Sequence, residues 1–153
     1  MQDVILTCDG SAVGNPGPGG WASILRLKSS GQELVITGSH PATTNNRMEL
    51  TAAIEALRAL RRHCRIELQT DSQYVKKGIT EWLPRWRSNG WVTASGKPVL
   101  NQDLWHQLEQ VVAQHEVHWS WTPGHTNDNK DQNRADQLAL AAARQQAAAL
   151  GRG

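Results

Sequence analysis

A chain of 153 residues with a hydrophobic fraction of 39% and a charged fraction of 20% fits one globular domain and excludes a disordered or fibrous chain. Its net charge of +2 is too small to indicate a nucleic-acid partner by itself, so the distribution of the bases matters more than their sum. No stretch reaches the roughly 18 continuous apolar residues of a membrane span. The N-terminus lacks a basic segment followed by an apolar run, and Cys8 and Cys64 form neither a CxxC pair nor a disulfide framework. The expectation is a soluble cytoplasmic protein whose two thiols are small, semi-buried hydrophobes.

In chain order, Val4 to Asp9 alternates like a strand, with Val4, Leu6 and Cys8 on one side and Ile5, Thr7 and Asp9 on the other. The glycines and prolines from Gly10 to Gly20 predict a structured loop there, whose backbone amides suit either a phosphate or a tight hairpin entry. Trp21 to Lys28 and Glu33 to His40 read as two strands of a hairpin around Ser29-Ser30-Gly31. From Asn46 to His63 the period changes: Leu50, Ile54, Leu57 and Leu60 recur at helical steps in a segment rich in good helix formers. Arg65 to Asp71 is a fourth strand, and Ser72 caps a short helix through Gly78. Pro84 and Asn89-Gly90 are expected to break up the stretch after that helix. Leu104, Leu108, Val111 and Val112 mark another helix, Val117, Trp119 and Trp121 a fifth strand, and Gln132 to Ala149 a last, alanine-rich helix. This order gives a mixed α/β sheet flanked by helices, and the strand–helix–strand step over 33–71 favours parallel pairing there.

Four acids occupy special places. Asp9 and Asp71 end strands, where functional groups of open α/β sheets gather. Glu49 and Asp136 lie in the early turns of the two long helices. Each alone fits a turn former or a favourable charge at a helix start. Together, if they converge, they repel unless a cation neutralises them, and hard oxygen ligands suit Mg2+ or Mn2+ better than zinc. Two such ions about 4 Å apart can activate water and stabilise the leaving 3′-oxygen in phosphodiester cleavage.

Thr7-Cys8-Asp9-Gly10-Ser11, Gly14-Asn15-Pro16-Gly17-Pro18-Gly19-Gly20, Thr43-Thr44-Asn45-Asn46-Arg47-Met48-Glu49-Leu50 and Thr70-Asp71-Ser72-Gln73-Tyr74-Val75 resemble, in order, the motifs of bacterial type 1 ribonuclease H. So do Gly90-Trp91, Asn101-Gln102-Asp103-Leu104-Trp105, Gly124-His125 and Arg134-Ala135-Asp136, and the likeness runs from about Val4 to Ala142. The resemblance implies a ribonuclease H-like fold: a five-stranded mixed sheet of three antiparallel strands and then parallel additions. It implies a single catalytic domain over 1–153, with a basic protrusion at about 80–100 and a frayed tail at about 146–153. It also implies an endonuclease that hydrolyses the RNA strand of RNA–DNA hybrids with two divalent ions, leaving 5′-phosphate and 3′-hydroxyl ends. Carried over by motif, Asp9, Glu49, Asp71 and Asp136 are the metal carboxylates, and His125 assists proton movement or product release. Asn15, Asn45, Asn46 and Gln73 contact the minor groove, and Thr44 is expected at a DNA phosphate. Amides that both donate and accept suit 2′-hydroxyls and base edges. The other histidines, His40, His63, His106, His115 and His118, have no such context. A related strand-transfer or integrase-like enzyme and a non-catalytic hybrid-binding module are the alternatives. The first lacks targeting and oligomerisation regions, and the presence of all four acids argues against the second.

Between Ser72 and Leu100 the bases Lys76, Lys77, Arg85, Arg87 and Lys97 face the single acid Glu81, with Trp82, Trp86 and Trp91 interleaved. Base with aromatic suits a nucleic-acid backbone. Packing is the expectation for Trp82 and Trp105, whereas Trp86 suits packing and substrate contact equally. Ser88, Asn89, Ser95 and Leu100 dilute the protrusion, so hybrid affinity is expected to be lower than in lysine-rich relatives. The stretch Thr126 to Asn133 is one residue longer than the family's common spacing. The lack of a long N-terminal extension argues against an added hybrid-binding domain. No obligate protein partner is indicated, and the small size suggests a monomer.

Overall fold

The computed structural model describes residues 1–121 and 130–151. Five strands, β1 (Gln2–Ala12), β2 (Gly17–Leu27), β3 (Glu33–Thr43), β4 (Cys64–Thr70) and β5 (Glu116–Trp121), form one sheet in the order β3-β2-β1-β4-β5. The helices are α1 (Asn45–Ala59), α2 (Gln73–Lys77), α3 (Leu83–Asn89), α4 (Gln102–Val112) and α5 (Lys130–Gly151), with a π-helical turn at Gly78–Trp82 between α2 and α3. The mixed sheet implied by the family resemblance is present: β1 pairs antiparallel with β2, and β2 with β3, while β4 and β5 add in parallel. Parallel pairing after α1 joins β4 to β1, not to β3, which lies two strands away from β1. None of the described helices is long and apolar enough to cross a membrane.

Two helices cover opposite faces of β1 and β2. On one face α1 buries Leu50, Ile54 and Leu57 against Leu6, Ile66 and Leu68, and this cluster extends to Trp105 and Leu108 of α4. Burying a side chain of this kind contributes about 1.5–3 kcal/mol. The Ser23 hydroxyl crosses to α1, donating to Ala52 O at 2.7 Å. On the other face α5 buries Ala135, Ala139 and Ala143.

The glycine-rich tract departs from the predicted loop. β1 runs through Ala12 and β2 starts at Gly17, so the turn proper is confined to residues 13–16. These glycines answer close packing more than turning. A β-carbon on Gly20 would stand 2.4 Å from Ala143 N and 2.6 Å from Ala139 O, and one on Gly19 would meet the Thr43 methyl at 2.3 Å.

Pro84 does not break the chain into loops either. The Leu83 N–H reaches back to Gly78 O, the five-residue step of a π turn, and Pro84 then sits in the first turn of α3, where a missing N–H costs nothing. The helix ends instead at Gly90, in the left-handed region at φ 80°. Thr44 caps α1 by accepting the Arg47 N–H at 3.2 Å, and Ser72 caps α2 by accepting the Val75 N–H at 3.1 Å.

Candidate active site

β1 and β4 are parallel neighbours, so Asp9 near the end of one and Asp71 just past the end of the other come to the same edge of the sheet. The Thr44 cap fixes where α1 begins, which places Glu49 over that edge. One carboxylate oxygen from each of Asp9, Glu49 and Asp71 lies within 4.8 Å of the others. Asp136 of α5 lines the same concavity and contacts Asp9. The four acids expected to converge from the sequence do converge.

The electrostatics follow from that crowding. Asp9 is only 3% exposed. Burial, with Asp136 and Asp71 adding like charge, pushes its carboxyl up to about 7 even though Glu49 opposes the shift. Glu49 is raised well above the ordinary carboxylate range, first by burial and then by Asp9 and Asp71. Asp9 Oδ1 accepts the Gly10 N–H at 2.9 Å. Asp9 Oδ2 and Glu49 Oε2 are buried and meet no hydrogen-bond donor among the described residues. Such orphaned acceptors are costly. A set of hard, anionic oxygens without donors is what a small divalent cation matches.

Around the carboxylates stand Asn45, Asn46, Gln73 and Tyr74. Asn15 and Asn45 brace the 13–16 turn against α1: Asn15 Oδ1 accepts the Asn45 N–H at 3.2 Å, and Asn45 Oδ1 accepts the Ala12 N–H at 2.6 Å. Their side-chain oxygens are thus committed to the fold.

The aromatic residues are packed. Trp86 lies 5.7 Å from Trp82, 5.6 Å from Trp91 and 5.6 Å from Trp105, ring centre to ring centre, so it packs among these rings while remaining half-buried at a groove. Arg87 is tied to Glu109 at 2.5 Å, while Arg85 borders a groove with Trp82 and Trp86. Lys76 and Lys77 close α2 beside the site. His125 lies outside the described residues.

Sequence reasoning missed a network behind the site. Arg47 grips Asp103 through both carboxylate oxygens, at 3.0 and 2.8 Å, and also donates to Asn101 Oδ1 at 3.2 Å. Asn101 Nδ2 and Trp105 Nε1 in turn donate to the Tyr74 hydroxyl at 3.1 and 2.9 Å. The starts of α1, α2 and α4 are thereby joined. The position of Arg47, two residues before Glu49, was the available signal.

The comparisons agree with this geometry. The family profile described as RNase H matches residues 1–144. The chain is 55% identical over 146 residues to the ribonuclease H of Solibacter usitatus (strain Ellin6076), covering 95% of this chain and 98% of that one. It is 55% identical over 138 residues to the ribonuclease HI of Pseudomonas aeruginosa (strain PAO1), covering 90% and 91%. Among solved structures, LC9-RNase H1, a type 1 RNase H with the type 2 active-site motif, superposes with a TM-score of 0.83 at 35% identity, covering 95% of this chain and 74% of that one.

Proposed function

The chain belongs to the ribonuclease H family, and from that premise we propose that it hydrolyses the RNA strand of RNA–DNA hybrids at the pocket formed by Asp9, Glu49, Asp71 and Asp136. The observation that carries the reading is the convergence of these carboxylates with two buried oxygens that meet no donor among the described residues. That donor set fits Mg2+, with Mn2+ as a substitute, and two ions with substrate bound. When present, the cations neutralise the cluster and stabilise negative charge developing on the phosphate.

The chain's own residues do the rest. Asp9, Glu49, Asp71 and Asp136 hold the cations. Asn15, Asn45, Asn46 and Gln73 present amides to the minor groove, where a 2′-hydroxyl distinguishes RNA from DNA. The Thr44 hydroxyl already accepts the Arg47 N–H, so its own proton is the part directed to a DNA phosphate. Lys76, Lys77 and Arg85 draw in the backbone, with Arg87 and Trp86 shaping the basic protrusion at about 80–100. Water adds to phosphorus, the bond to the 3′-oxygen breaks, and 5′-phosphate and 3′-hydroxyl ends result. His125 assists proton movement or product release, as an unperturbed histidine near neutral pH is able to do. The same reading takes 1–153 as one catalytic domain, monomeric and cytoplasmic. No specific observation favours strand transfer or hybrid binding without cleavage.

The test is cleavage of an end-labelled hybrid with Mg2+, Mn2+ or chelator, beside duplex DNA, duplex RNA and single strands. Internal RNA cuts confined to the hybrid and abolished by chelator are expected. Equal cutting of duplex DNA would remove the specificity, and cutting in chelator would remove the metal.

A further inference from the structure

Helix α5 lies on the sheet through a stripe of small side chains. Ala135, Ala139 and Ala143 are fully buried, and the closeness of Gly20 to Ala139 and Ala143 shows how near the helix and strand backbones come. Alanines permit that approach but offer little shape to fix the helix along the strands. One polar side chain interrupts the stripe at its start. Gln132 is 1% exposed, three residues before Ala135 and four before Asp136, on the face that leads to both.

Its Nε2 donates to Cys8 O at 3.1 Å, on the residue that precedes Asp9. Other ties of the same helix end reach different strands. Asp131 accepts two hydrogen bonds from Arg26 of β2 at 2.6 and 3.1 Å, and Arg134 donates to Glu33 of β3 at 2.8 and 3.2 Å. The Gln132 tie runs to β1, the strand that carries Asp9.

We propose that Gln132 is a positioning residue of the active site, whose buried amide sets the register of the first turn of α5 on β1 and so fixes where the Asp136 carboxylate meets Asp9. This rests on the assignment of Asp136 to the metal-holding cluster. Without the amide, the alanine stripe and the two ion pairs still hold the helix to β2 and β3, while its first turn loses the hydrogen bond that sets it against β1. Cation affinity and turnover then suffer. Hybrid grip does not, because Asn45, Asn46 and Gln73 stand on other elements.

The experiment compares Q132M, of similar length but with no donor, and Q132N, a shorter amide, with R134A. The last breaks a tie of the same helix to β3 and serves as the control for simple loosening. Three quantities are read: amide hydrogen exchange of the metal-free protein, Mn2+ affinity by calorimetry, and kcat and KM on a hybrid. In Q132M, exchange over the first turn of α5 is expected to rise at least 10-fold while the turn around Ala143 is unchanged. Mn2+ affinity is expected to fall about 5-fold or more, and kcat to drop with KM within twofold. Q132N is expected to be intermediate, and it carries the same comparison should Q132M not fold. R134A is expected to match the unaltered protein in Mn2+ affinity and kcat. Unaltered exchange and Mn2+ affinity in the Gln132 variants would overturn the proposal, as would equal losses in R134A. Exchange and Mn2+ binding judge Gln132 without activity, so a protein that binds Mn2+ but does not cut hybrids would defeat the functional reading and not this one.

Discussion

Gly10 and Glu49 meet backbone to backbone: a β-carbon on Gly10 would stand 2.4 Å from the Glu49 amide nitrogen and 2.4 Å from the carbonyl carbon of Met48. The contact sets the height of α1 above β1, and with it the distance between the Glu49 and Asp9 carboxylates. Gly10→Ala is therefore expected to destabilise the protein by about 1–3 kcal/mol through overpacking. It is also expected to lower cleavage beyond what the lost stability explains. Denaturant unfolding beside single-turnover cleavage checks both, and normal cleavage in a folded Gly10→Ala protein would separate the contact from the site.

The crowded acids predict an unusual pH dependence for the metal-free protein. The folded pKa of Asp9 is raised to about 7 from an ordinary 3.8, and that of Glu49 is raised as well, so the folded state binds protons that the unfolded chain has released. Stability is therefore expected to rise as pH falls from about 8.5 through 7. His115 works in the opposite sense below its ordinary 6.5, because burial lowers its folded pKa. It accepts the Cys64 N–H at 3.1 Å and is held neutral. The rise should thus be clearest between pH 8.5 and 6.5. One pKa unit corresponds to about 1.4 kcal/mol. On that scale Asp9→Asn is expected to stabilise the metal-free protein at pH 8 by about 1–3 kcal/mol. Thermal unfolding in chelator reads these effects, and saturating Mg2+ should flatten the slope.

Arg47 holds Asp103 and Asn101 with one guanidinium, so its loss should act on substrate grip more than on chemistry. Arg47→Ala is expected to raise KM for a hybrid several-fold, with kcat within about threefold, at a stability cost near 1 kcal/mol for a half-exposed bidentate pair. Asp103→Ala should do the same, and the double variant should add little. Additive effects would mean that the two side chains act separately.

Hybrid binding should weaken as salt rises, because bases that neutralise phosphates release counterions. Arg87 is engaged by Glu109, so Arg85→Ala is expected to reduce the salt slope more than Arg87→Ala. A fluorescence titration of each variant across ionic strengths measures the difference, and equal slopes would refute it.

Local signals in the chain gave most of this architecture. Ser72 announced its helix because a capping hydroxyl acts on backbone three residues away, whereas Thr44, read from the sequence as a phosphate contact, turned out to cap α1. Asp9 and Asp71 announced the site because strand ends gather function in such sheets. What stayed hidden depends on residues remote in sequence. Gly10, Gly19 and Gly20 read as loop because a glycine needed for close approach looks the same as one needed for a turn. Pro84 read as a breaker because the π turn that accommodates it has no local signature. The partner of β4 was not predictable from the strand–helix–strand step, which fixes direction and leaves the neighbour open. The Arg47–Asp103 and Gln132–Cys8 ties join distant segments through side chains that looked ordinary in isolation.

The most direct measurement is a calorimetric titration of Mn2+ into the metal-free protein, unaltered and with Asp9→Asn. Saturable binding weakened at least 10-fold by the substitution, in a protein whose fold is intact, is the expected result. Identical isotherms for the two proteins would contradict the assignment of these carboxylates to a common cation site.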